Sequence, residues 1–500
     1  MNYVSTRDRA RFADAQEAVL RGTAPDGGLF TMDILPVFWH DDIESIRSMS
    51  YPEAAAFILT KYLAGYPERE LAEYCRQAYS TFSHPEVAPV VKLSHNLYSL
   101  ELFHGKTCAF KDVALQLLPH LMVSAAKREG KVRETVILTA TSGDTGKAAL
   151  EAFADIEGTR IGVFYPDGGV SDVQRLQMTT QMGDNVNVFA IEGNFDDAQS
   201  GVKAIFADSA LRERLLERGI ALSSANSINW GRLAPQIVYY FWAYTRLLND
   251  GAIKMGDKID VCVPTGNFGN ILAAFIAKKS GLPIERLVCA SNANNVLTDF
   301  FNTGVYDRNR EFFKTESPSM DILVSSNLER LIFMLAGDAL TRQLMADLAV
   351  NGRFEAPAEL RKKLLDNSFC AFCASDEESA AQIKETWQNS RYLCDTHTAV
   401  ALCAAKKAGT SARPMVVAAT ASPFKFAPAV LEALTGECPA DGQQAISMLE
   451  QATGTRAPAQ LTELFSKPER FKTVIAKQQM SRQAEKWMTD DNDDRWVLKL

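Results

Sequence analysis

Lys111 is the residue best placed in this chain to act as a nucleophilic amine. It stands between Phe110 and Asp112, where a mixed stretch (residues 100–109) meets an apolar helical pattern of Val113, Leu115, Leu117 and Leu118. A lysine entering apolar surroundings loses hydration, and its ammonium form is disfavoured. The neutral amine is then available for nucleophilic or Schiff-base chemistry. The same residues also fit a lysine that snorkels from a helix start, with Asp112 serving the helix N-terminus. Taken alone, the stretch favours this second reading.

Two junctions add sites for anions. Residues 135–141 form a β-branched run, followed by Ser142, Gly143, Asp144, Thr145 and Gly146 and then a helical pattern. Residues 259–263 repeat the arrangement, with Pro264, Thr265, Gly266, Asn267, Phe268, Gly269 and Asn270 leading into residues 271–278. Each places small residues where a helix begins. Free N–H groups and the helix dipole attract an anion there, and glycine lets the backbone approach it closely. A tight turn without a ligand explains either junction equally well. Neither carries a nucleotide motif. Gly146-Lys147 lacks the glycine five residues upstream, and G-x-G-x-x-G is missing from both. A nucleotide-dependent kinase or a dehydrogenase is thereby disfavoured. Two anion cups and one amine point to a phosphorylated cofactor and an anionic substrate.

Residues 223–232 hold Ser227, Asn229 and Arg232 ahead of the aromatic run Tyr239, Tyr240, Phe241 and Trp242. Arg232 can fork onto a phosphate or carboxylate, and helix capping is the alternative for this polar loop. Residues 418–426 put Thr420 at the end of the last β-branched run, where a hydroxyl can face a ring nitrogen or cap a helix. Cys370-x-x-Cys373 and Cys394-x-x-His397 have zinc-ligand spacing. The first pair flanks Ala371-Phe372 in a helical context, so no metal site is expected.

The frame that positions these residues is legible in the hydropathy pattern. Short apolar runs at 136–138, 161–164, 186–191, 259–263, 287–289 and 415–417 alternate with helical patterns. Such runs fit strands buried on both faces of parallel sheets, with ligands at their carboxyl ends. The expected class is α/β with two open parallel-sheet lobes. An α-rich N-terminal region (1–95) has helices near 8–22 and 42–80, and its default role is packing. A first lobe (96–250) carries Lys111 and residues 142–145. A second lobe (251–430) carries residues 266–270, a polar surface insertion at about 303–330 and helix over 328–390. A helical tail (431–500) ends in an acidic run at 490–494, read as solvated.

The 500-residue length calls for two or three domains. A net charge of -8 argues against nucleic acid or an acidic membrane as partner. No apolar stretch reaches spanning length, and no secretory leader is visible at the start. Nine cysteines, an odd count with several in apolar runs, suit reduced thiols in a cytoplasmic protein.

In order and spacing, residues 26–30, 100–112, 139–146, 224–232, 264–270, 395–399 and 420–426 together resemble threonine synthases. These are pyridoxal-phosphate enzymes of fold type II, the tryptophan-synthase β-like fold. By position, Lys111 resembles the lysine that forms the Schiff base with pyridoxal 5'-phosphate, with Phe110 beside it. Gly266, Asn267, Phe268, Gly269 and Asn270 resemble the loop that cradles the cofactor phosphate. Thr420 resembles the hydroxyl that faces the pyridine nitrogen. Ser142, Gly143, Asp144 and Thr145 resemble the loop for the amino-acid carboxylate. Ser227, Asn229 and Arg232 match positions that grip the substrate phosphate. The sequence departs from many relatives at Lys106, where they have proline, and at Ser422, where they have histidine. Lys106 and Lys425 are extra cations, for which surface placement is the alternative to holding phosphate.

The resemblance implies a carbon–oxygen lyase that converts O-phospho-L-homoserine and water to L-threonine and phosphate, the last step of threonine biosynthesis. Lys111 would remove the α-proton, and the cofactor ring would take up the charge. The implied state is a monomer or homodimer with a small-molecule substrate. A lyase for another phosphorylated hydroxy-amino acid and a non-catalytic metabolite-binding homologue are the competing readings. Lys111 and the intact 266–270 loop argue against the last.

Overall fold

The apolar runs become strands because β-branched residues on both faces are covered by helices. The computed structural model describes residues 2–130, 132–141, 143–409, 412–439 and 441–490. One sheet orders Phe369–Cys373, Ile284–Ser291, Ile259–Pro264, Met415–Ala419, Leu97–Glu101 and Val90–Ser94, with only the last pair antiparallel. The other orders Val474–Ala476, Val186–Glu192, Thr159–Pro166, Glu134–Ala140 and Ile220–Ser223, all parallel. Leu97–Glu101, just upstream of Lys111, thus belongs to the sheet that carries the 264–270 turn. The helix Trp230–Asn249 is apolar nearly all round and correspondingly buried. It packs against the helices Lys111–Leu115, Gly269–Lys279 and Tyr51–Tyr62.

In the N-terminal region, the helices His40–Ile46, Tyr51–Tyr62 and Glu68–Tyr79 occupy the predicted 42–80 span. The first helix is shorter than predicted, Ala15–Arg21, because Phe12–Ala13 joins Tyr3–Ser5 and Phe30–Met32 in an antiparallel sheet. This sheet is tied to the body. Arg330 donates to the Phe30 carbonyl at 2.9 and 2.7 Å, and Arg7 pairs with Glu329 at 2.8 Å. The region braces the start of the helix Leu328–Asn351.

Long-range pairing overrides local pattern in three places. Residues 328–390 are not helical throughout, since Arg353–Glu355 and Phe369–Cys373 are strands. Cys370 and Cys373 therefore lie on a strand, not a helix. Pairing with Ile284–Ser291 and packing of Phe369 on Phe275 and Phe301 fix it there. Residues 303–330 are not a bare surface insertion. Val305–Asp307 pairs with Arg353–Glu355, and the turn Pro318–Met320 borders the central cleft. The Asp321 carboxylate, which accepts from Thr315, Asn292 and Asn294 at 2.7 to 3.0 Å, holds this segment down. The tail is not only helical, because Val474–Ala476 covers the edge of the five-stranded sheet. Residues 491–494 of the acidic run lie outside the described residues.

Candidate active site

The Lys111 and Thr420 segments are joined through their backbones. Leu102 N–H donates to the Ala419 carbonyl at 2.9 Å, Phe110 N–H to Thr420 at 2.8 Å, and Ser422 N–H to Cys108 at 3.0 Å. Cys108 holds φ at 57°, a left-handed turn that non-glycine residues seldom adopt. The helix Lys111–Leu115 begins three residues later. Asp112 ties down this turn, since Thr107 N–H and Oγ1 each donate to its carboxylate at 2.8 Å. Burial pushes the Asp112 carboxyl up to about 6, with the Thr107 bonds opposing.

Lys111 borders a cleft of about 1390 Å³ between the two junctions. Its Nζ lies 3.2 Å from Asp144 Oδ2 and 3.2 Å from Ser319 Oγ, and 5.2 Å from the centre of the Phe110 ring. Burial lowers the Lys111 pKa; Asp144 opposes the shift, while Lys425 and Arg232 add to it. Asp144 is held by four side chains. Besides Lys111, Lys425 Nζ approaches at 2.9 Å, Ser319 Oγ at 2.9 Å and Gln174 Nε2 at 3.1 Å. Burial raises the Asp144 carboxyl, but the two lysines outweigh it and hold the group well below the usual carboxylate range.

The 264–270 turn is a neutral cup. Phe268, with φ of 62°, caps the helix Gly269–Lys279. A Cβ on Gly266 would lie 2.8 Å from the Ser319 carbonyl oxygen, so only glycine fits. Gly266 O accepts from Ser325 Oγ at 2.7 Å, and Asn267 O accepts from Asn327 N–H at 3.1 Å. With these carbonyls tied, the first N–H groups of the helix are left for a ligand. Asn270 Oδ1 accepts from Tyr239 at 2.6 Å and Tyr240 at 2.5 Å, while its Nδ2 is buried without a protein partner. Arg232 is similar. It donates to the Ala225 carbonyl at 2.5 Å, its Nε is unpartnered, and burial pulls it down to about 10. A buried donor left unpaired costs about 1–3 kcal/mol, which a bound anion relieves. The residues fit pyridoxal phosphate, with donors for a phosphate at 266–270, a desolvated amine at Lys111 and the Thr420 hydroxyl on the same cleft.

Phe110, Lys111, Asp144, Thr145, Ser227, Arg232, Gly266, Asn267, Gly269, Asn270 and Thr420 all border this cleft. Gly143 sits at the turn with φ of 134°, where a Cβ would fall 2.4 Å from the Gln174 amide carbon. Ser142 lies outside the described residues. Phe268 borders the cleft, but its ring stacks on Phe301 in the core. Asn229 is not brought to the site. Its Oδ1 accepts from Gly231 N–H at 2.8 Å and its Nδ2 donates to the Val19 carbonyl at 2.8 Å, so it caps a helix and docks the N-terminal region. Lys425 is not a surface cation but a buried partner of Asp144. Lys106 is part-exposed, 3.4 Å from Glu151.

Sequence reasoning missed Gln174 and Ser319, and met His397 only in a zinc-like spacing and in the resembling stretch 395–399. Ser319 N–H donates to His397 Nε2 at 3.1 Å, and His397 Nδ1 lies 2.9 Å from Asp395 Oδ1. The Asp395-Thr396-His397 stretch carried a signal, an N-cap aspartate that also orients a histidine. Ser319, in an irregular polar segment, carried none.

Two parallel-sheet lobes, a buried lysine and a cup of spare donors at a helix start are the features of a pyridoxal-phosphate-dependent enzyme. A family model of that description, "Pyridoxal-phosphate dependent enzyme", matches residues 86–421. Models for the threonine synthase N terminus and the threonine synthase C-terminal region match residues 2–79 and 398–484. The threonine synthase of Pseudomonas aeruginosa is 39% identical over 477 residues, covering 94% of this chain and 95% of that protein. Human threonine synthase-like 1 is 42% identical over 431 residues, 84% of this chain, and the match spans 58% of that protein's length. The solved structure of a pyridoxal-phosphate-bound threonine synthase from Brucella melitensis superposes with a TM-score of 0.87 at 39% identity, covering 98% of both chains. The chain belongs to the threonine synthase family.

Proposed function

We propose that this protein converts O-phospho-L-homoserine and water into L-threonine and phosphate. The observation that supports it best is a pair of unsatisfied buried donors, Asn270 Nδ2 and Arg232 Nε, on residues that border one cleft with Lys111. Two phosphate groups need two such places. Residues 266–270 serve the cofactor's phosphate, and Arg232 with Ser227 serves the substrate's.

Pyridoxal phosphate, when bound, supplies an electron-withdrawing ring that accepts negative charge from the substrate's α-carbon. Lys111 anchors it, and Thr420 offers its ring nitrogen a neutral hydroxyl. Once free, Lys111 Nζ takes up the α-proton; burial keeps this amine closer to neutral than an exposed lysine. Asp144 and Ser319 hold the amine in place meanwhile. The Gly143 N–H is taken by Thr141 Oγ1, so the N–H groups of residues 144 and 145, which open the helix Asp144–Phe153, serve the substrate carboxylate. Arg232 stabilises phosphate as it departs from Cγ. Overall, Cγ loses phosphate and gains a proton, while Cβ loses a proton and gains hydroxyl from water. Closure of the cleft keeps water out until that addition.

We place the protein in the cytoplasm as a monomer or homodimer, in keeping with nine free cysteines. Among the described residues, no helix is long and apolar enough to cross a membrane. The test is product analysis with O-phospho-L-homoserine, which should yield threonine and phosphate in equal amounts. Phosphate without threonine would assign a lyase instead, and neither product would refute catalysis on this substrate.

A further inference from the structure

Asp144 is shared by two buried lysines. Lys111 approaches Oδ2 at 3.2 Å and Lys425 approaches Oδ1 at 2.9 Å. The Lys425 side chain is 0% exposed, and its Nζ also donates to the Thr107 carbonyl at 3.1 Å. Lysine is almost never fully buried unless paired. We propose that Lys425 is the permanent counter-ion of Asp144, a positioning residue that frees Lys111 to lose its proton and bond the cofactor. The inference rests on Lys111 being the cofactor lysine.

A buried carboxylate stripped of its only cation is heavily destabilised. With Lys111 as sole partner, Asp144 would hold that amine in its protonated form. Lys425 on the other oxygen keeps the carboxylate neutralised whether or not Lys111 carries charge. Its place is fixed to the same backbone as Lys111, since Lys425 N–H donates to the Ser422 carbonyl and Ser422 N–H to that of Cys108. The surrounding charges are of both signs, with the positive ones nearest Lys111. Arg232, from the helix Trp230–Asn249, adds to the repulsion on the Lys111 ammonium, as Lys425 itself does. His397, from the helix Thr396–Lys407, faces Asp144, while Asp112 and Lys147, of opposite charge, both face Lys425. Ser319 and Gln174 complete the cluster as neutral donors. Two lysines on one carboxylate leave an excess of positive charge, which favours a neutral Lys111.

The test adds pyridoxal 5'-phosphate to the full-length protein over a pH series and follows covalent bonding by visible absorbance. Borohydride reduction and peptide mass mapping then identify the modified lysine. In Lys425→Met the midpoint should rise by about one pH unit or more, a tenfold weaker bond at neutral pH. Lys425→Arg, which keeps the charge, should stay at the wild-type midpoint. The double variant Asp144→Asn with Lys425→Met leaves no orphaned charge, and its midpoint should fall below wild type. It decides the matter if the single variant does not fold. An unchanged midpoint in Lys425→Met, a raised one in Lys425→Arg or a raised one in the double variant would overturn the proposal. Modification at a lysine other than Lys111 would overturn the active-site reading instead.

Discussion

Asn270 leaves a buried amide donor unpaired at the start of one helix, whereas Asp144, at the start of another, is bonded by four side chains. The two turns occupy equivalent places at strand ends, yet they handle charge in opposite ways. The 264–270 cup is neutral, with its carbonyls tied and its donors spare, a deficit that suits an incoming phosphate. The Asp144 cluster is complete among protein groups, so it serves to set the charge on Lys111. Donors that bind a ligand are left unsatisfied; a side chain that tunes an amine is satisfied in advance.

The comparison breaks most sharply at Lys111, the group both turns serve. Lys111→Ala should abolish both turnover and the visible absorbance of bound cofactor, while far-ultraviolet circular dichroism stays native. Asn270→Asp sets a carboxylate against the phosphate in the neutral cup. It should weaken cofactor affinity about a hundredfold, roughly 3 kcal/mol, by fluorescence titration. Arg232→Ala should raise KM for the phosphorylated substrate about tenfold or more and leave cofactor absorbance unchanged. That outcome would separate the two phosphate places.

On the charged side, Asp112 and Glu151 give pH dependence of opposite sign. Asp112 is raised from its ordinary 3.8 to about 6, so the folded chain holds that proton more tightly. Stability from this group is full below about 4 and falls by roughly 3 kcal/mol as pH rises to about 6. Glu151, on the helix Asp144–Phe153, is half-buried, and Lys147 outweighs that desolvation and lowers it from 4.5 to about 2. Its contribution is full above 4.5 and is lost, by roughly 3 kcal/mol, as pH falls to about 2. Urea denaturation of Asp112→Asn and Glu151→Gln across pH should remove the fall and the rise respectively. Lys106→Ala, which removes only a part-exposed ion pair with Glu151, should change stability by less than about 0.5 kcal/mol.

The strands and both turns were legible because apolar runs and glycine-rich junctions are local signals. Residues 266–270 stand out on that basis, whereas Lys111 alone reads as a helix-start lysine and Thr420 as a cap, and both take their roles from the resemblance. Asn229 misled because a capping asparagine and a ligand-binding one look alike in sequence, and only its bond to Val19 distinguishes them. Lys425 misled for a related reason. Lysine is assigned to the surface by default, and its burial depends on Asp144, far away in the chain. Ser319 had no local signal, since its segment is organised by Asp321 and His397 and not by any periodicity.

Leu97–Glu101 lies beside Met415–Ala419 in the six-stranded sheet, and this has a consequence for biosynthesis of the chain. A ribosome delivers Lys111 long before it delivers Thr420. Until then the Leu97–Glu101 and Val90–Ser94 hairpin exposes an unpaired edge, and the lysine has no partner segment. Such high contact order makes completion of the site a slow, late event in folding. Capture of cofactor therefore reports that the strand Met415–Ala419 has docked. A nascent chain stalled before residue 415 should show no cofactor absorbance, however well its earlier helices have formed.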